Sequence, residues 1–451
     1  MTTHAAVILA AGKGTRMNSR IPKVLHRVCG IEMVCLVEEA ARQAGLAPIA
    51  VVVPHESQQI ETAIGPGVSY VTQTEQLGTG HAVLQAEGQV EAADNILVMY
   101  GDVPLVNAET LKRMMRLHDD TEACITLLTS TLVNPEGLGR IVRDRSGAIK
   151  AIVEEEYADD DTRSIREINS GFYCFRAQWL WKHLNGISPS QKGEVFLTDL
   201  VALAVQQGMT VESVLSADAY ETIGVNNRIQ LAEAEAVMRQ RIRERWMING
   251  VSMPDPSSVY IDHTVELGED TVILPNSHIT GQSHIGEACK IGPNSVISDS
   301  ILGKGCEVIS SVIRDSHLED NVDVGPFSHI RGGSHLEQGV HVGTSAEVKS
   351  SRLGRDTKMG HFSYMGDAHL GTNVNIGAGA ITCNFDGEKK NKTRIGDDVF
   401  ISCDTMLIAP IKLGDRSATG AGAVVTKDVA PDSLVVGMPA RKVPRKPKSD
   451  P

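Results

Sequence analysis

The chain has few aromatic residues, no closely paired cysteines and no long apolar run. Aromatics make up 4% of its 451 residues. No Cys-x-x-Cys spacing occurs among its eight cysteines, which disfavours a structural zinc site and favours free thiols in a reducing compartment. No run approaches the roughly 18 apolar residues of a membrane-spanning helix. The first residues, "MTTHAAVILAAG", lack a basic leader, so we expect a cytoplasmic protein.

Positive charge is also scarce. The 43 Lys and Arg residues are outnumbered by 56 Asp and Glu, which gives a net charge of −13. This balance disfavours broad binding to nucleic acids or membrane surfaces and favours small polar substrates. The stretch "RKVPRKPKSD" from Arg441 is an exception and makes the extreme C-terminus a basic tail. The length exceeds that of one ordinary hydrophobic core, so we expect two or three domains.

Up to about residue 226, short apolar runs alternate with helical patterns. The runs "AVILA" (6–10), "IAVVV" (49–53) and "ILVMY" (96–100) are typical of strands buried on both faces of a parallel sheet. Residues 31–45 and 80–89 carry apolar side chains at helical spacing. The alternation predicts an open α/β sheet over residues 1–226.

Residues 227–250 have a different pattern and predict one helix that connects two domains. Leu231, Met238, Ile242 and Trp246 recur at helical spacing, and Gly250 supplies a stop signal.

From residue 251 to 451 the sequence is dominated by a six-residue repeat. An aliphatic residue followed by Gly heads eleven hexads, among them "LGEDTV", "IGEACK", "VGTSAE" and "IGDDVF". Several heads lie eighteen residues apart, as for Leu267 and Ile285, Val324 and Val342, and Ile395 and Leu413. This period predicts a β-helix in which each coil buries its aliphatic residues on its neighbours.

The stretch "VILAAGKGTRM" (7–17) looks like a phosphate-binding loop but matches neither familiar pattern. A P-loop needs Gly where Val7 stands, and a dinucleotide fingerprint needs Gly where Met17 stands. Small residues still let the backbone approach a phosphate closely. Three basic side chains could neutralise a triphosphate: Lys13, Arg16 and Lys23. A plain strand-to-helix turn with exposed basic residues is the alternative.

A carboxylate follows the third apolar run. Asp102 in "YGDVPL" comes just after a predicted buried strand, at the edge where open α/β sheets bind ligands. A carboxylate there suits Mg²⁺, which takes one or two protein oxygens and completes its shell with water and phosphate. An isolated Gly-Asp is otherwise a turn residue, but the basic loop favours the metal site.

Five motifs together resemble the sugar-nucleotidyltransferase family. They are "LAAGKGTRM…PKVLH", "QTEQLGTGHA" (73–82), "YGDVPL" (100–105), "EINSG" (167–171) and "GVNNR" (224–228). Joined to the hexad repeat, they resemble the bifunctional bacterial enzymes that carry N-acetylglucosamine-1-phosphate uridylyltransferase and glucosamine-1-phosphate acetyltransferase activities. The resemblance implies a Rossmann-like N-terminal domain, a left-handed parallel β-helix, a homotrimer, Mg²⁺, and the substrates UTP and acetyl-CoA.

The resemblance also implies the residues of the uridylyl site. The nucleotide would be held by Leu9, Ala10, Ala11, Gly12, Lys23, Gln73, Gly78 and Thr79, with Arg16 and Lys23 on its phosphates. The sugar would be bound by Gly139, Glu154 and Asn169. Mg²⁺ would be held by Asp102 and Asn226. Attack of a sugar phosphate on a nucleotide is mainly a matter of positioning and charge neutralisation, which such residues provide.

The acetyl site is implied in the same way, and a break in the repeat supports it. The polar stretch "NFDGEKKNKTR" (384–394) interrupts the hexads soon after "MGHFSYMGD". His361 would act as the general base, with Asn384 and Lys390 beside it. Glucosamine phosphate would be bound by Arg331, Lys349, Tyr364 and Asn375. Acetyl-CoA would be bound by Ala378, Asn384, Phe385, Cys403, Ala421 and Arg441. A tolerated surface insertion is the alternative for the polar stretch.

Three positions depart from the family pattern. Phe385 stands where Tyr is common, Cys403 replaces a common Ser, and Met438 stands where some relatives have Arg. A role for the tail in binding coenzyme phosphates, through Arg441 or Lys442, stays open.

Two other functions are compatible with parts of the pattern. In the first, the chain is a sugar-1-phosphate nucleotidyltransferase whose β-helix serves only assembly or regulation. In the second, it is a non-catalytic sugar-nucleotide-binding scaffold. Acetyl transfer to glucosamine-1-phosphate would exclude the first, and Mg²⁺-dependent pyrophosphate release from UTP would exclude the second.

Overall fold

The computed structural model describes residues 2–187 and 195–443. It divides into two compact units, Met1–Met238 and Arg239–Pro451. The division lies inside a long helix, Arg228–Ile248, which confirms the single helix predicted for residues 227–250. The domain limits at 226 and 250 stay a prediction. Residues 444–451 of the basic tail lie outside the described residues.

The first unit is built on a nine-stranded sheet. Its strands are β1 (His4–Leu9), β2 (Ile49–Pro54), β3 (Ser69–Gln73), β4 (Asn95–Tyr100), β5 (Ile125–Thr131), β6 (Arg140–Arg143), β7 (Ile149–Val153), β8 (Glu167–Arg176) and β9 (Val211–Leu215). The main order is β9-β5-β8-β4-β1-β2-β3, and the β6–β7 hairpin joins through β8. A separate small hairpin pairs Arg27–Val28 with Ile31–Glu32. The three predicted apolar runs form β1, β2 and β4, which pair in parallel, as expected.

The sheet differs from a wholly parallel one at β8, which runs antiparallel to both β4 and β5. The apolar pattern of a buried strand is the same in either direction, so the sequence does not reveal this reversal. The register of β8 shifts between Asn169 and Tyr173. Gly171 lies in this irregularity at φ +85°, where a β-carbon would collide with the ring of Tyr100.

Helices cover both faces of the sheet. They are α1 (Met33–Gln43), α2 (Gln58–Ile64), α3 (Thr79–Leu84), α4 (Glu87–Val90), α5 (Ala108–Asp120), α6 (Asp160–Arg163), α7 (Ala177–Leu184), α8 (Thr198–Gln206) and α9 (Arg228–Ile248). The helical pattern at residues 80–89 forms two short helices, α3 and α4, instead of one. Two apolar clusters fill the layers on either side of the sheet, one including Val7 and Leu180 and the other Ile8 and Val37.

The second unit is a parallel β-helix with three sheets, called here faces 1, 2 and 3 in the order in which each coil visits them. Face 1 contains Tyr260–Ile261, His278–Thr280, Val296–Ser298, Val312–Arg314, His329–Arg331, Glu347–Lys349, Tyr364–Gly366, Ile381–Cys383, Met406–Ile408 and Val424–Val425. Face 2 contains Glu266–Leu267, His284–Ile285, Ile301–Leu302, Ser316–Leu318, Ser334–Leu336, Arg352–Leu353, Ala368–Leu370, Thr393–Ile395 and Ile411–Leu413. Face 3 contains Val272–Ile273, Lys290–Ile291, Glu307–Val308, Asp323–Val324, His341–Val342, Lys358–Met359, Asn375–Ile376, Phe400–Ile401, Ala418–Thr419, Leu434–Val436 and Arg441–Val443.

The register of the coils follows from the hexad period. The predicted pairs Leu267 and Ile285, Val324 and Val342, and Ile395 and Leu413 are direct neighbours on adjacent coils. Their side chains are buried, as are those of the inward-facing residues along the rest of each face. The repeated parallel strands agree with the predicted left-handed β-helix.

The β-helix is interrupted between Ile381–Cys383 on face 1 and Thr393–Ile395 on face 2. There the polar stretch forms a small hairpin in which Phe385 pairs with Lys390. The carboxylate of Asp386 accepts hydrogen bonds from the backbone N–H groups of Glu388 and Lys389, at 3.0 and 2.9 Å. These bonds lower the pKa of Asp386 to about 2, so the hairpin is closed by an ionised side chain.

In the described part of the chain, no helix combines the length and the apolar character that crossing a bilayer requires. All eight cysteines are free thiols.

Candidate active sites

A cavity of about 420 Å³ opens in the first unit where three parallel strands end. Strands β1, β3 and β4 finish at Leu9, Gln73 and Tyr100, and all three residues line the cavity. The cavity therefore lies at the carboxyl edge of the sheet, where ligands of open α/β folds bind. Its lining is Leu9, Ala11, Gly12, Lys23, Val24, Gln73, Gln76, Gly78, Thr79, Ala82, Tyr100, Asp102, Phe196 and Asn226.

The loop after β1 leaves its backbone accessible at the mouth of this cavity. A β-carbon at Gly12 would meet no atom within 4 Å, so the backbone there is open to a ligand. Gly14 has φ +59°, and a β-carbon there would lie 2.5 Å from Cβ of Lys23. Glycine is therefore required at Gly14 to let Lys23 pass close to the loop. Gln76 supports the loop by donating to the carbonyl oxygen of Ala11 at 2.6 Å.

Four polar side chains from distant parts of the sequence meet beside the loop. The ammonium group of Lys23 contacts the carboxylate of Asp102 and donates to Oδ1 of Asn226 at 3.2 Å. Arg16 donates to the same Asn226 oxygen at 3.0 Å. Lys23, Asp102 and Asn226 therefore meet in the cavity wall, and Arg16, which does not line the cavity, reaches the same group from outside it.

Backbone contacts hold Asn226 against Asp102. The N–H of Val225 donates to the carbonyl oxygen of Asp102 at 2.8 Å. The N–H of Asn226 donates to Oε1 of Gln230, in the first turn of α9, also at 2.8 Å. The start of α9 therefore fixes the amide side chain that faces the cavity.

Gly78 and Thr79 form the opposite wall. Gly78 has φ +99°, and a β-carbon there would lie 2.5 Å from the carbonyl oxygen of Val195. Both the conformation and the space require glycine. Thr79 begins α3, and its hydroxyl accepts a hydrogen bond from the N–H of Leu197 at 3.2 Å. Ala10 is the predicted nucleotide residue that does not line the cavity, because its side chain is buried in one of the apolar clusters beside the sheet.

The three residues predicted to bind the sugar lie together at a neighbouring edge. A β-carbon at Gly139 would lie 3.3 Å from Oε2 of Glu154, and the N–H of Asn169 donates to the carbonyl oxygen of Gly139 at 2.9 Å. Burial raises the pKa of Glu154, against the opposing effect of a hydrogen bond from Thr198. A partly buried carboxyl of this kind can bind hydroxyl groups with high specificity.

Tyr100 connects the cavity to these sugar residues, and the sequence reasoning missed it. Burial raises the pKa of its phenol, which also hydrogen-bonds to Thr79 and is close enough to Asp102 and Glu154 for their charges to affect it. The Tyr100 hydroxyl therefore stays neutral, between the cavity and the residues predicted to bind the sugar. Its position directly before Gly-Asp at the end of an apolar run was the available signal. Four other lining residues were also missed: Val24, Gln76, Ala82 and Phe196.

In the β-helix, a polar cluster forms at the end of face 1. Asp367 accepts hydrogen bonds from Lys349 at 3.4 Å and from Asn384 at 2.5 Å. The amide of Asn384 also reaches the hydroxyl of Tyr364 at 3.4 Å. Gly366 makes this contact possible, because a β-carbon there would collide with the Tyr364 hydroxyl. Asp367 was not predicted, although it lies in the quoted stretch "MGHFSYMGD".

Positive charge is concentrated around this cluster. Lys390 and Lys349 lie close enough for one ammonium to donate to the other amine, and this contact lowers the pKa of Lys390. The same contact and the Asp367 carboxylate raise the pKa of Lys349. Arg331 lies one coil away, in register with Lys349, and forms an ion pair with Glu347 at 2.6 Å. An excess of positive charge beside one partly buried carboxylate suits an anionic ligand.

A second group of predicted residues lines the corner between face 3 and face 1. The carbonyl oxygen of Ala378 accepts from the N–H of Asp404 at 2.7 Å, and that of Cys403 accepts from the N–H of Gly422 at 2.9 Å. Ala378, Cys403 and Ala421 therefore occupy the same corner on three successive coils. His361 lies one coil earlier, exposed, just before the strand that begins with Tyr364.

The remaining predicted residues flank this corner. Asn375 lies on face 3, away from the Lys349 cluster on face 1. Arg441 pairs with Val436 on the final hairpin. The side chain of Val436 lies against Gly420, where an added β-carbon would be only 2.8 Å away from it. In the described residues, no hydrogen bond or ion pair joins His361 to the cluster. One chain therefore carries two groups of predicted residues, at opposite ends of the short strands of face 1.

The three departures from the family pattern all lie at exposed positions. Phe385 is 61% exposed and Met438 is 77% exposed, so neither substitution disturbs a core. Cys403 lies in the corner turn with its residue exposed, where either a thiol or a hydroxyl fits.

Comparison with known proteins gives the same two-part organisation. Residues 6–160 match the MobA-like NTP transferase domain, and residues 264–299 match the bacterial transferase hexapeptide repeat. A protein named bifunctional protein GlmU from Caldanaerobacter subterraneus is 46% identical over 97% of this chain and 95% of its own length. The proteins of that name from Syntrophomonas wolfei and Heliobacterium modesticaldum are each 44% identical over 98% of this chain, and over 99% and 97% of their own lengths.

Proposed function

The chain belongs to the family of bifunctional GlmU proteins, and from this premise we propose how its residues carry out two reactions. It is a bifunctional enzyme with uridylyltransferase and acetyltransferase activities. In our proposal the β-helix acetylates glucosamine-1-phosphate with acetyl-CoA. The first unit then transfers UMP from UTP to the product, which gives UDP-N-acetylglucosamine and pyrophosphate. The meeting of Lys23, Asp102 and Asn226 in the cavity carries the assignment of the second step.

For uridylyl transfer, the phosphate oxygen of N-acetylglucosamine-1-phosphate attacks the α-phosphorus of UTP. The bond from that phosphorus to the bridging oxygen breaks, and pyrophosphate leaves. Arg16 and Lys23 would neutralise the charge that develops on the phosphates, and the backbone at Gly12 would approach them closely. Gly139, Glu154 and Asn169 would orient the sugar, so that the reaction needs no nucleophile from the protein.

The donor set fits Mg²⁺. Asp102 and Asn226 offer a carboxylate and an amide oxygen that already contact one cationic atom, Nζ of Lys23. In the described part of the chain, no cluster of three or more His, Cys, Asp or Glu could hold a metal by itself. Two protein oxygens plus phosphate and water are a usual shell for Mg²⁺. When bound, the ion would neutralise the phosphate charge.

For acetyl transfer, the amine of glucosamine-1-phosphate attacks the thioester carbonyl of acetyl-CoA. His361 would accept the proton from the amine, the carbon–sulfur bond breaks, and the same proton passes to the departing sulfur, so that the coenzyme is released as its thiol. Lys349, Lys390 and Arg331 would hold the sugar phosphate, and Tyr364, Asn375 and Asn384 would orient the substrates. Ala378, Phe385, Cys403, Ala421 and Arg441 would contact acetyl-CoA.

Assembly as a homotrimer and a cytoplasmic location complete the proposal. The separation of the predicted acetyl-site residues into two groups supports assembly, because a neighbouring copy could bring one group to the other. Mixing His361→Ala chains with Lys390→Ala chains tests this. Acetyl transfer restored only after unfolding and refolding the two together would show a shared site, and no restoration would contradict it.

The function as a whole is tested by supplying glucosamine-1-phosphate, acetyl-CoA, UTP and Mg²⁺, omitting each in turn, and identifying the products by mass spectrometry. Omission of acetyl-CoA should abolish both products. Omission of UTP should leave N-acetylglucosamine-1-phosphate, and omission of Mg²⁺ should do the same. Retention of UDP-sugar synthesis without Mg²⁺ would contradict the metal assignment.

A further inference from the structure

Arg140 is a buried cation next to the residues proposed to bind the sugar. Its side chain is 2% exposed. One terminal nitrogen donates to Oε2 of Glu155 at 2.7 Å, and the other donates to the carbonyl oxygen of Leu138. Its Nε is buried and has no partner among the described residues. An ion pair that buries an arginine contributes little stability compared with apolar side chains of similar volume, so its presence calls for another explanation.

The pair joins the two segments that carry Gly139 and Glu154. Arg140 pairs with Val153 of β7 and also with Ile168 of β8. Gly139 directly precedes Arg140, and Glu154 lies between Val153 and Glu155. The Arg140–Glu155 contact therefore closes the end of the β6–β7 hairpin at the point where Gly139 and Glu154 face each other.

Loss of Glu155 would leave a buried guanidinium without a countercharge. Arg163 is the other cation near Glu155, at 3.6 Å, and it cannot supply one. The backbone around residues 153–155 would then rearrange to bring an acceptor to Arg140, because an unpaired buried charge is costly. Glu154 would move with it. The nucleotide end of the site would keep its geometry, because the cavity lining includes neither Arg140 nor Glu155.

We infer that the Arg140–Glu155 ion pair is a positioning device for the sugar phosphate. It fixes Gly139 and Glu154 and so sets the affinity for N-acetylglucosamine-1-phosphate without affecting that for UTP. The inference rests on the proposed assignment of Gly139, Glu154 and Asn169 to the sugar.

Steady-state kinetics of Glu155 variants test this inference in the full-length chain. Glu155 is chosen because its side chain is 31% exposed, so its replacement is less disruptive than that of Arg140. Glu155→Ala should raise KM for N-acetylglucosamine-1-phosphate about tenfold and leave KM for UTP within about twofold. Glu155→Gln, which retains an acceptor for Arg140, should stay within about threefold of wild type for both substrates.

Arg143→Ala is the matched control, because Arg143 is on the same strand and forms a similar ion pair with Glu167, at 2.6 Å. Any of four results would overturn the inference. Two concern Glu155→Ala itself: equal changes in both KM values, or no change in either. The others are a Glu155→Gln variant with as high a sugar KM as Glu155→Ala, and an Arg143→Ala variant with the same effect as Glu155→Ala. Glu154→Ala distinguishes a failure of the sugar-site assignment from a failure of the positioning inference. If it leaves the sugar KM unchanged, the site assignment itself is wrong; if it raises that KM while Glu155→Ala does not, only the positioning inference fails.

Discussion

Lys23 and Asp102 lie 79 positions apart in the sequence and form an ion pair in the cavity wall of the first unit. Their side chains are 14% and 13% exposed, so the pair is largely removed from solvent. Lys23 follows a loop shaped by Gly14, and Asp102 follows the central strand β4. The pair therefore links the proposed phosphate-binding loop directly to the proposed metal ligand.

Replacement of Asp102 should separate the two activities. Asp102→Ala removes a ligand of the proposed metal and leaves Lys23 without its carboxylate partner, so we expect uridylyl transfer to fall by about 10²-fold or more. Acetyl transfer should be unchanged, because the β-helix is a separate unit. Both rates are measured on the same preparation by pyrophosphate release and thiol release. Asp120→Ala, at the exposed end of α5, is the control, and undiminished UDP-sugar formation by Asp102→Ala would contradict the assignment.

His361 is the corresponding test of the β-helix. His361→Ala removes the proposed general base and should lower acetyl transfer by about 10²- to 10⁴-fold while uridylyl transfer is retained. His369→Ala provides a matched control, since His369 is also exposed and lies on the face 2 strand that follows in the same coil. If acetylation survives the loss of His361, the base must be another residue.

Gly78 tests the shape of the nucleotide pocket. In Gly78→Ala the new β-carbon would lie 2.5 Å from the carbonyl oxygen of Val195, in a conformation at φ +99° that alanine rarely adopts. The loop before Thr79 must shift, and we expect KM for UTP to rise about tenfold. Gly65→Ala also has positive φ, at +77°, but its β-carbon meets no atom within 4 Å. An equal effect of both variants on KM would point to backbone strain in general instead of the pocket wall.

His118 makes the stability of the first unit depend on pH. Burial lowers its pKa to about 4, with smaller contributions from His4 and Arg176. Between about pH 4 and pH 6.5, His118 therefore stays neutral in the folded protein, whereas in the unfolded chain it binds a proton. The stabilising contribution of neutral His118 is complete above pH 6.5 and is lost as pH falls towards 4, by about 3 kcal/mol in total.

Unfolding is monitored through the loss of uridylyl transfer activity after exposure to increasing denaturant at pH 7, 6, 5 and 4. In the wild-type protein, the denaturant concentration at the unfolding midpoint should fall as the pH is lowered from 7 to 4. His118→Gln keeps polar contacts to Thr126 and Asn95 and removes the titrating group, so its midpoint should fall less. Identical pH dependence of the two proteins would exclude His118 as the cause.

Prediction from sequence was most successful where the pattern has a strict period. The hexad heads fixed the coil register, and the structure pairs Leu267 with Ile285 as the eighteen-residue spacing requires. The apolar runs at β1, β2 and β4 and the helix at Arg228–Ile248 were also predicted correctly, because long uniform patterns leave little ambiguity. Residues 80–89 are helical, as their spacing predicted, but the apolar pattern did not reveal the break between α3 and α4 or the antiparallel direction of β8.

Site prediction divided along a similar line. Motifs selected most of the residues that line the first cavity, but Tyr100 and Phe196 were missed because apolar and aromatic residues in such places look like core. Asp367 was missed because a turn aspartate is common in a β-helix. The roles of the site residues stay predictions for the variants above to test.

The sequence by itself determined the family, the two kinds of fold and the register of the β-helix, because these depend on local periodicity and on short motifs. Only the tertiary structure decided which distant side chains meet: Lys23 with Asp102 and Asn226, Arg140 with Glu155, and Lys349 with Asp367 and Asn384. It also decided that His361 and Asn375 flank a different corner from the lysine cluster. Such contacts depend on how strands and coils stack in space, and stacking brings together residues whose separation along the chain carries no signal.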